Sequence, residues 1–163
     1  MKAKHMFLLF VIFFIAENSF SQLRIAVFPF QNMDGRMELN VWSYHLQDSL
    51  YKALKAKDPS GKYFSLVPSD SIEMIIAALN LDPTNPQYMS DMWKAAKMLN
   101  IKKIISGNFN IQVDKFLVNA YIYDVRTRLP DLNHQARDIF KIEKELFESV
   151  ELIVKALFPA FEI

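Results

Sequence analysis

The side chains able to do acid–base or covalent chemistry are few in this sequence, and they are scattered. His45 lies one turn from Trp42 in a helical pattern, and His134 lies in a weakly patterned stretch. Neither is set in a metal-ligand arrangement, so both read as structural or solvent-facing residues and no metal site is expected. The carboxylate pairs Asp131 with Asp138, and Glu143 with Glu145, have the residue types for general acid–base work, the chemistry a small exported hydrolase would use. Their simpler reading is a solvated surface. With only Gly35, Gly61 and Gly107, the chain has neither a G-x-S-x-G elbow for a serine nucleophile nor a phosphate-cradling loop. The absence of cysteine excludes disulfides, a thiol nucleophile and thiolate metal sites. No catalytic residue and no cofactor is therefore expected.

The start of the chain carries an address rather than chemistry. Met6 to Ala16 reads MFLLFVIFFIA, preceded by Lys2 and Lys4 and followed by Ser19, Phe20 and Ser21. A basic start, a short apolar run and small residues before the cut form a secretory signal pattern, with cleavage expected between Ser21 and Gln22. The run is shorter than the roughly 20 residues that span a bilayer, although an uncleaved anchor is the rival reading. Without Lys2, Lys4 and Glu17, the 19 basic and 18 acidic residues become 17 of each. A neutral chain offers no electrostatic footprint for nucleic acid or anionic membrane. The expectation is an exported protein of the periplasm or envelope, with a signal over residues 1–21 and one domain over 22–163. It also lacks the cysteine that an acylated bacterial lipoprotein needs.

The elements that must position any site follow from periodicity. RIAVFPF, residues 24–30, is an unbroken apolar run, which suits a strand covered on both faces and usually parallel; Pro29 should end it. Trp42, Leu46, Leu50, Ala53 and Leu54 recur at helical spacing, and Asp58-Pro59-Ser60-Gly61 stops that helix. Tyr63 to Val67 reads as a second strand. Asp70 with Glu73 has capping-box spacing, and Ile72, Ile75, Ile76 and Leu79 mark the helix behind it. Ser90 caps a third helix, ended by Asn100.

From Ile105 onward the pattern alternates. A turn at Asp114-Lys115 would set Val113 opposite Phe116, Ile111 opposite Val118 and Phe109 opposite Ala120. Beyond Val125 only a short edge strand near Ala136 to Ile142 is legible, before a last helix through Leu146, Val150, Ile153 and Leu157. The fold class is α+β: a mixed sheet with a parallel β-α-β start and an antiparallel hairpin, and helices packed largely on one face. Two surfaces could bind. One is the loop after the first strand, with Asn32, Asp34 and Gly35, and the other is the hairpin edge, by β-augmentation. Tyr121 and Tyr123 could form a further face with Asn108, Asn110 and Asn119, unless a helix covers it.

The order of these motifs resembles the TolB amino-terminal-like module, an α+β unit also found in outline in CsgG-type and FlgO-type bacterial envelope proteins. The matching stretches are RIAVFPFQN, WSYHLQDSLYKAL, FSLVPSD, AAKMLNIKKIISGNFN and LVNAYIYDVRT. The last carries Asp124-Val125-Arg126-Thr127, where the family usually continues with glycine and this chain has Arg128. No β-propeller follows, and there is neither a lipobox cysteine nor a pore-forming hairpin. The resemblance implies a non-catalytic module that binds an envelope protein or peptidoglycan-associated component. It leaves the oligomeric state open.

Overall fold

A computed structural model describes residues 22–162. The signal reading and Ser21 lie outside the described residues, and Gln22 opens them. Six strands form one sheet: β1 (Arg24–Val27), β2 (Gln31–Asn32), β3 (Ser65–Leu66), β4 (Lys103–Gln112), β5 (Lys115–Asp124) and β6 (Pro130–Lys141). Their order is β3-β1-β4-β5-β6, with β2 also beside β4. Strand β1 runs parallel to both β3 and β4, whereas β4, β5 and β6 pair antiparallel. The α+β class and the mixed sheet are as expected.

The helices are α1 (Asn40–Lys57), α2 (Ser69–Leu79), α3 (Tyr88–Met98) and α4 (Glu148–Leu157). They divide between the two faces instead of gathering largely on one. On one face Ile25, Val27, Ile105 and Phe109 meet Leu46, Leu50 and Leu54 of α1 and Ile153 and Leu157 of α4. On the other, Ala26, Phe28 and Ile104 meet Ile72 and Ile76 of α2 and Met92 and Ala96 of α3. The unbroken apolar run of β1 has this cause: each successive side chain enters a different core.

Several local details differ from the sequence reading. Helix α2 begins at Ser69 behind Pro68, and no side chain caps it, so Asp70 sits inside the first turn. Helix α3 likewise starts at Tyr88, two residues before Ser90. The β4–β5 turn is Val113-Asp114, with φ of 47° and 62°. Ile111 therefore faces Phe116, Phe109 faces Val118 and Gly107 faces Ala120. The register is displaced by two residues, which preserves the buried face because side chains alternate with period two. Strand β6 is twelve residues long, and its two register shifts explain why its alternation was hidden.

Two acidic residues hold turns. Asp58, just past α1, accepts main-chain N–H bonds from Lys62 (2.7 Å), Tyr63 (2.8 Å) and Phe64 (3.3 Å). Burial pushes its carboxyl pKa up, the three donors push it further down, and the net position is below the ordinary value. A depressed folded pKa means that this stabilisation is complete above the unfolded value of about 3.9 and fades as pH falls through the folded one. Asp58→Asn keeps an acceptor but loses the charge. It should cost about 1–2 kcal/mol in urea unfolding at neutral pH, with the difference shrinking in acid.

Asp124 closes the β5–β6 connection, accepting from Thr127 N (2.8 Å) and Thr127 Oγ1 (3.1 Å). Arg128, at φ 60°, donates its N–H to the Asp124 carbonyl at 2.7 Å. Arginine thus adopts the left-handed conformation that glycine favours at this point of the motif. The conformation costs about 1–2 kcal/mol for a side-chain-bearing residue, partly offset by the greater unfolded freedom of glycine. Arg128→Gly should raise stability by about 0.5–1 kcal/mol in thermal melts.

Candidate interaction surface

The loop after the first strand is shaped by Pro29. From Val27 to Gln31 the chain advances four residues while its partner β4 advances three, from Ile105 to Asn108, so one extra residue bulges out. The Pro29 carbonyl accepts from the buried Tyr88 hydroxyl at 2.8 Å and from Ser106 Oγ at 3.2 Å. Burial pushes the Tyr88 phenol well above its ordinary pKa, so it remains a hydroxyl donor. Phe30 N leaves the sheet and donates to the Ser43 carbonyl of α1 at 3.2 Å. The kink re-aims the chain so that β2 ends in the loop Met33–Arg36.

Asn32 organises that loop from inside. It is 2% exposed. Its Nδ2 donates to the Arg36 carbonyl (2.7 Å) and to Asn40 Oδ1 (3.0 Å), while its Oδ1 accepts from Asp34 N (3.1 Å). Asn40 Nδ2 in turn donates to Asp82 Oδ1 at 3.2 Å. Donation by the Thr84 N–H and hydroxyl, helped by Asn40, holds the Asp82 carboxyl below its ordinary pKa against the effect of burial. Asp34 ties the loop to the hairpin, its Oδ2 accepting from Ile111 N at 2.8 Å. Gly35 stands at φ 67° with open space around it, so the turn conformation is what requires glycine.

The three residues singled out from sequence thus come together with different placements. Asn32 is inside, Asp34 is exposed but tethered, and Gly35 is at the open tip. What the loop presents outward is Met33, 58% exposed, and next to it Met37 and Val41, 73% and 46% exposed. Sequence reasoning passed over these apolar residues, although an apolar residue inside a polar turn cluster was the available signal.

The other candidates are dispersed. Asp131 accepts from Asn133 N and His134 N and lies 3.0 Å from His134 Nδ1, an i,i+3 pair that the sequence reading did not make. Asp138 occupies a bulge at φ 57°, and Glu143 and Glu145 are exposed on a short 3₁₀ turn. His45 is exposed beside Trp42 and Phe147. A cleft of about 490 Å³ between α1 and α4 is lined by Ala53, Val154 and Phe158 with Lys57, Glu151 and Glu162, and contains neither Asp131 with Asp138 nor Glu143 with Glu145. Among the described residues no group of three or more His, Asp or Glu could hold a metal. No helix among them is long and apolar enough to cross a membrane.

The hairpin edge is not free, since β6 pairs along β5. The outer edge belongs to β6, where bulges at 131–134 and 137–138 interrupt the ladder a partner strand would need.

No family model matches the sequence, and no curated protein matches it. Solved structures do share its fold. The NMR structure of E. coli LpoB matches with a TM-score of 0.52 at 14% identity, over 74% of this chain and 58% of that one. TolB from Acinetobacter baumannii matches with a TM-score of 0.50 at 18% identity, over 85% of this chain and 28% of that one. The LpoB C-terminal domain from Salmonella enterica matches at 0.49 and 16%, over 82% and 92%. The chain thus spans little more than half of the E. coli LpoB chain and about a quarter of TolB. At these identities the likeness is one of fold, and it includes TolB, whose amino-terminal-like module the sequence resembles.

Proposed function

We propose that this protein is an exported, non-catalytic interaction module of the TolB amino-terminal-like kind that CsgG-type and FlgO-type proteins share in outline. It acts in the periplasm or at the envelope after cleavage between Ser21 and Gln22. It binds another envelope protein through the loop of Asn32, Asp34 and Gly35 and the adjoining start of α1. The observation that carries this reading is the internally bonded loop. Asn32 spends its polar groups on holding the backbone, and the apolar Met33, Met37 and Val41 are left outward. A surface ordered before contact loses less entropy on binding, and large exposed apolar side chains are the usual source of contact energy.

The test has two arms. Amino-terminal sequencing of the exported protein should begin at Gln22, whereas a start at Met1 means an anchored protein. A photoreactive residue at Met33 or Met37 should crosslink in cells to one envelope protein, and the same probe at Leu152, exposed on α4, should not. Equal labelling at all three positions, or none at Met33 and Met37, removes the loop as the contact surface.

A further inference from the structure

The outer part of the sheet face that α2 and α3 share carries no helix among the described residues. Helix α3 reaches as far as Tyr123, whose ring lies 5.6 Å from that of Trp93 in edge contact. Beyond it, Leu117, Tyr121 and Phe140 belong to neither hydrophobic core. Strand register places Asn108 and Asn110 of β4, Leu117, Asn119 and Tyr121 of β5, and Phe140 of β6 on this one face. None of the six carries a charge, although charged residues make up 23% of the sequence. Arg137 and Asp138 lie at the outer margin, in the β6 bulge.

The amides on this face are unequally occupied. Asn119 donates to Asn108 Oδ1 at 3.0 Å and accepts from Asp138 N at 2.9 Å, so it orients its neighbour and is itself satisfied. That leaves the Asn108 Nδ2, both polar groups of Asn110 and the Tyr121 hydroxyl without a partner among the described residues. The Tyr121 ring tilts at 52° to that of Tyr123, with centroids 5.9 Å apart. Phe140 is half exposed and stands opposite Leu117, four residues from Tyr121 on β5. Along the strand direction the Tyr121 and Phe140 positions are therefore about 13 Å apart, with Asn119 between them and Asn108 and Asn110 on the neighbouring strand β4.

This composition selects its ligand. An extended peptide needs free main-chain groups, and those within a sheet face are already paired. A nucleic acid or anionic lipid would find cations only at the margins of this face, Lys115 at the hairpin end and Arg137 in the bulge, and none among the six central residues. A purely apolar partner would strip water from three unpaired polar side chains without replacing it. An uncharged sugar strand satisfies both features, since the C–H face of a pyranose lies against an aromatic ring while its hydroxyl and acetamido groups exchange hydrogen bonds with side-chain amides. We propose that the open face bearing Asn108, Asn110, Tyr121 and Phe140 binds an uncharged, N-acetylated glycan strand of the cell wall. The source of the glycan rests on the envelope reading above. The surface is distinct from the Met33–Val41 surface.

The test is an NMR titration of the purified protein with a soluble N-acetylglucosamine oligomer, alongside a glucose oligomer of equal length that lacks acetamido groups. Co-sedimentation with isolated sacculi is the second readout. Saturable shifts of the Asn108 and Asn110 side-chain amides are expected. Binding should weaken about tenfold in Tyr121→Ala, and the glucose oligomer should bind more weakly than the acetylated one. Asn110→Ala, at a surface position that leaves the Tyr121–Tyr123 contact intact, should also weaken binding, and Leu152→Ala should not. The proposal is overturned by no saturable shift at about 10 mM oligomer, by unchanged affinity in both Tyr121→Ala and Asn110→Ala, or by equal affinity for the two oligomers. Crosslinking at Met33 reads a separate surface, so its success or failure leaves this result distinguishable.

Discussion

Gly107→Ala is expected to cost about 4 kcal/mol or more, a large share of the 5–15 kcal/mol that holds an ordinary domain together. Gly107 sits in β4 opposite Ala120, and a Cβ there would lie 1.9 Å from the Asn119 carbonyl oxygen and 2.5 Å from Cε1 of Phe30. The Phe30 ring comes down on Gly107 because the Pro29 bulge turns the chain over β4, filling the space a side chain would take. Repacking can move a ring, but it cannot move a carbonyl that belongs to the sheet. Urea unfolding should therefore show the full loss in Gly107→Ala, and adding Phe30→Leu should recover only a minor part. Full recovery in the double variant would mean that the ring, and not the β5 backbone, excludes the methyl group.

The parts of the fold that were legible are those where burial and local pattern agree. RIAVFPF announced a strand with two covered faces, and β1 feeds two cores. The same run also argued against helices gathered on one face, a consequence the element order alone did not supply. The hairpin came through with the correct inward face and a register two residues off, because Val113 and Asp114 take positive φ without the glycine that would mark such a turn. Strand β6 was hard to read because its bulges reset the alternation at Asp131–His134 and again near Asp138. The loop of the candidate site was legible as a polar turn, but the placement of its residues was not. Asparagine in a polar turn suggests exposure, yet turn-forming asparagine is also the residue that bonds its own backbone, and Asn32 does this from a buried position. Its partner Asn40 lies 8 residues away, and Asn40 is held in turn by Asp82, a further 42 residues on, beyond the reach of local pattern.

Asn32→Ala is expected to cost about 3 kcal/mol and to abolish specific crosslinking from Met33. Three side-chain hydrogen bonds disappear, and the Arg36 carbonyl and Asn40 Oδ1 lose a part-buried donor, at about 1 kcal/mol each. The backbone bonds Asn32 N to the Pro83 carbonyl and Met33 N to the Phe109 carbonyl should keep β2 paired. The damage should therefore centre on residues 33–36, visible as faster amide exchange there while β4 protection falls only by the global loss. Met33→Ala is the complementary variant. It removes an exposed contact group without touching the network, so stability should stay within about 0.5 kcal/mol while partner capture drops. If Asn32→Ala loosens the loop and capture persists, the partner does not need the ordered loop. If Met33→Ala captures normally while Asn32→Ala does not, the contact lies in the loop backbone or with Met37 and Val41. Loss in both variants, with stability lost in only one, is the outcome that a pre-ordered apolar contact surface requires.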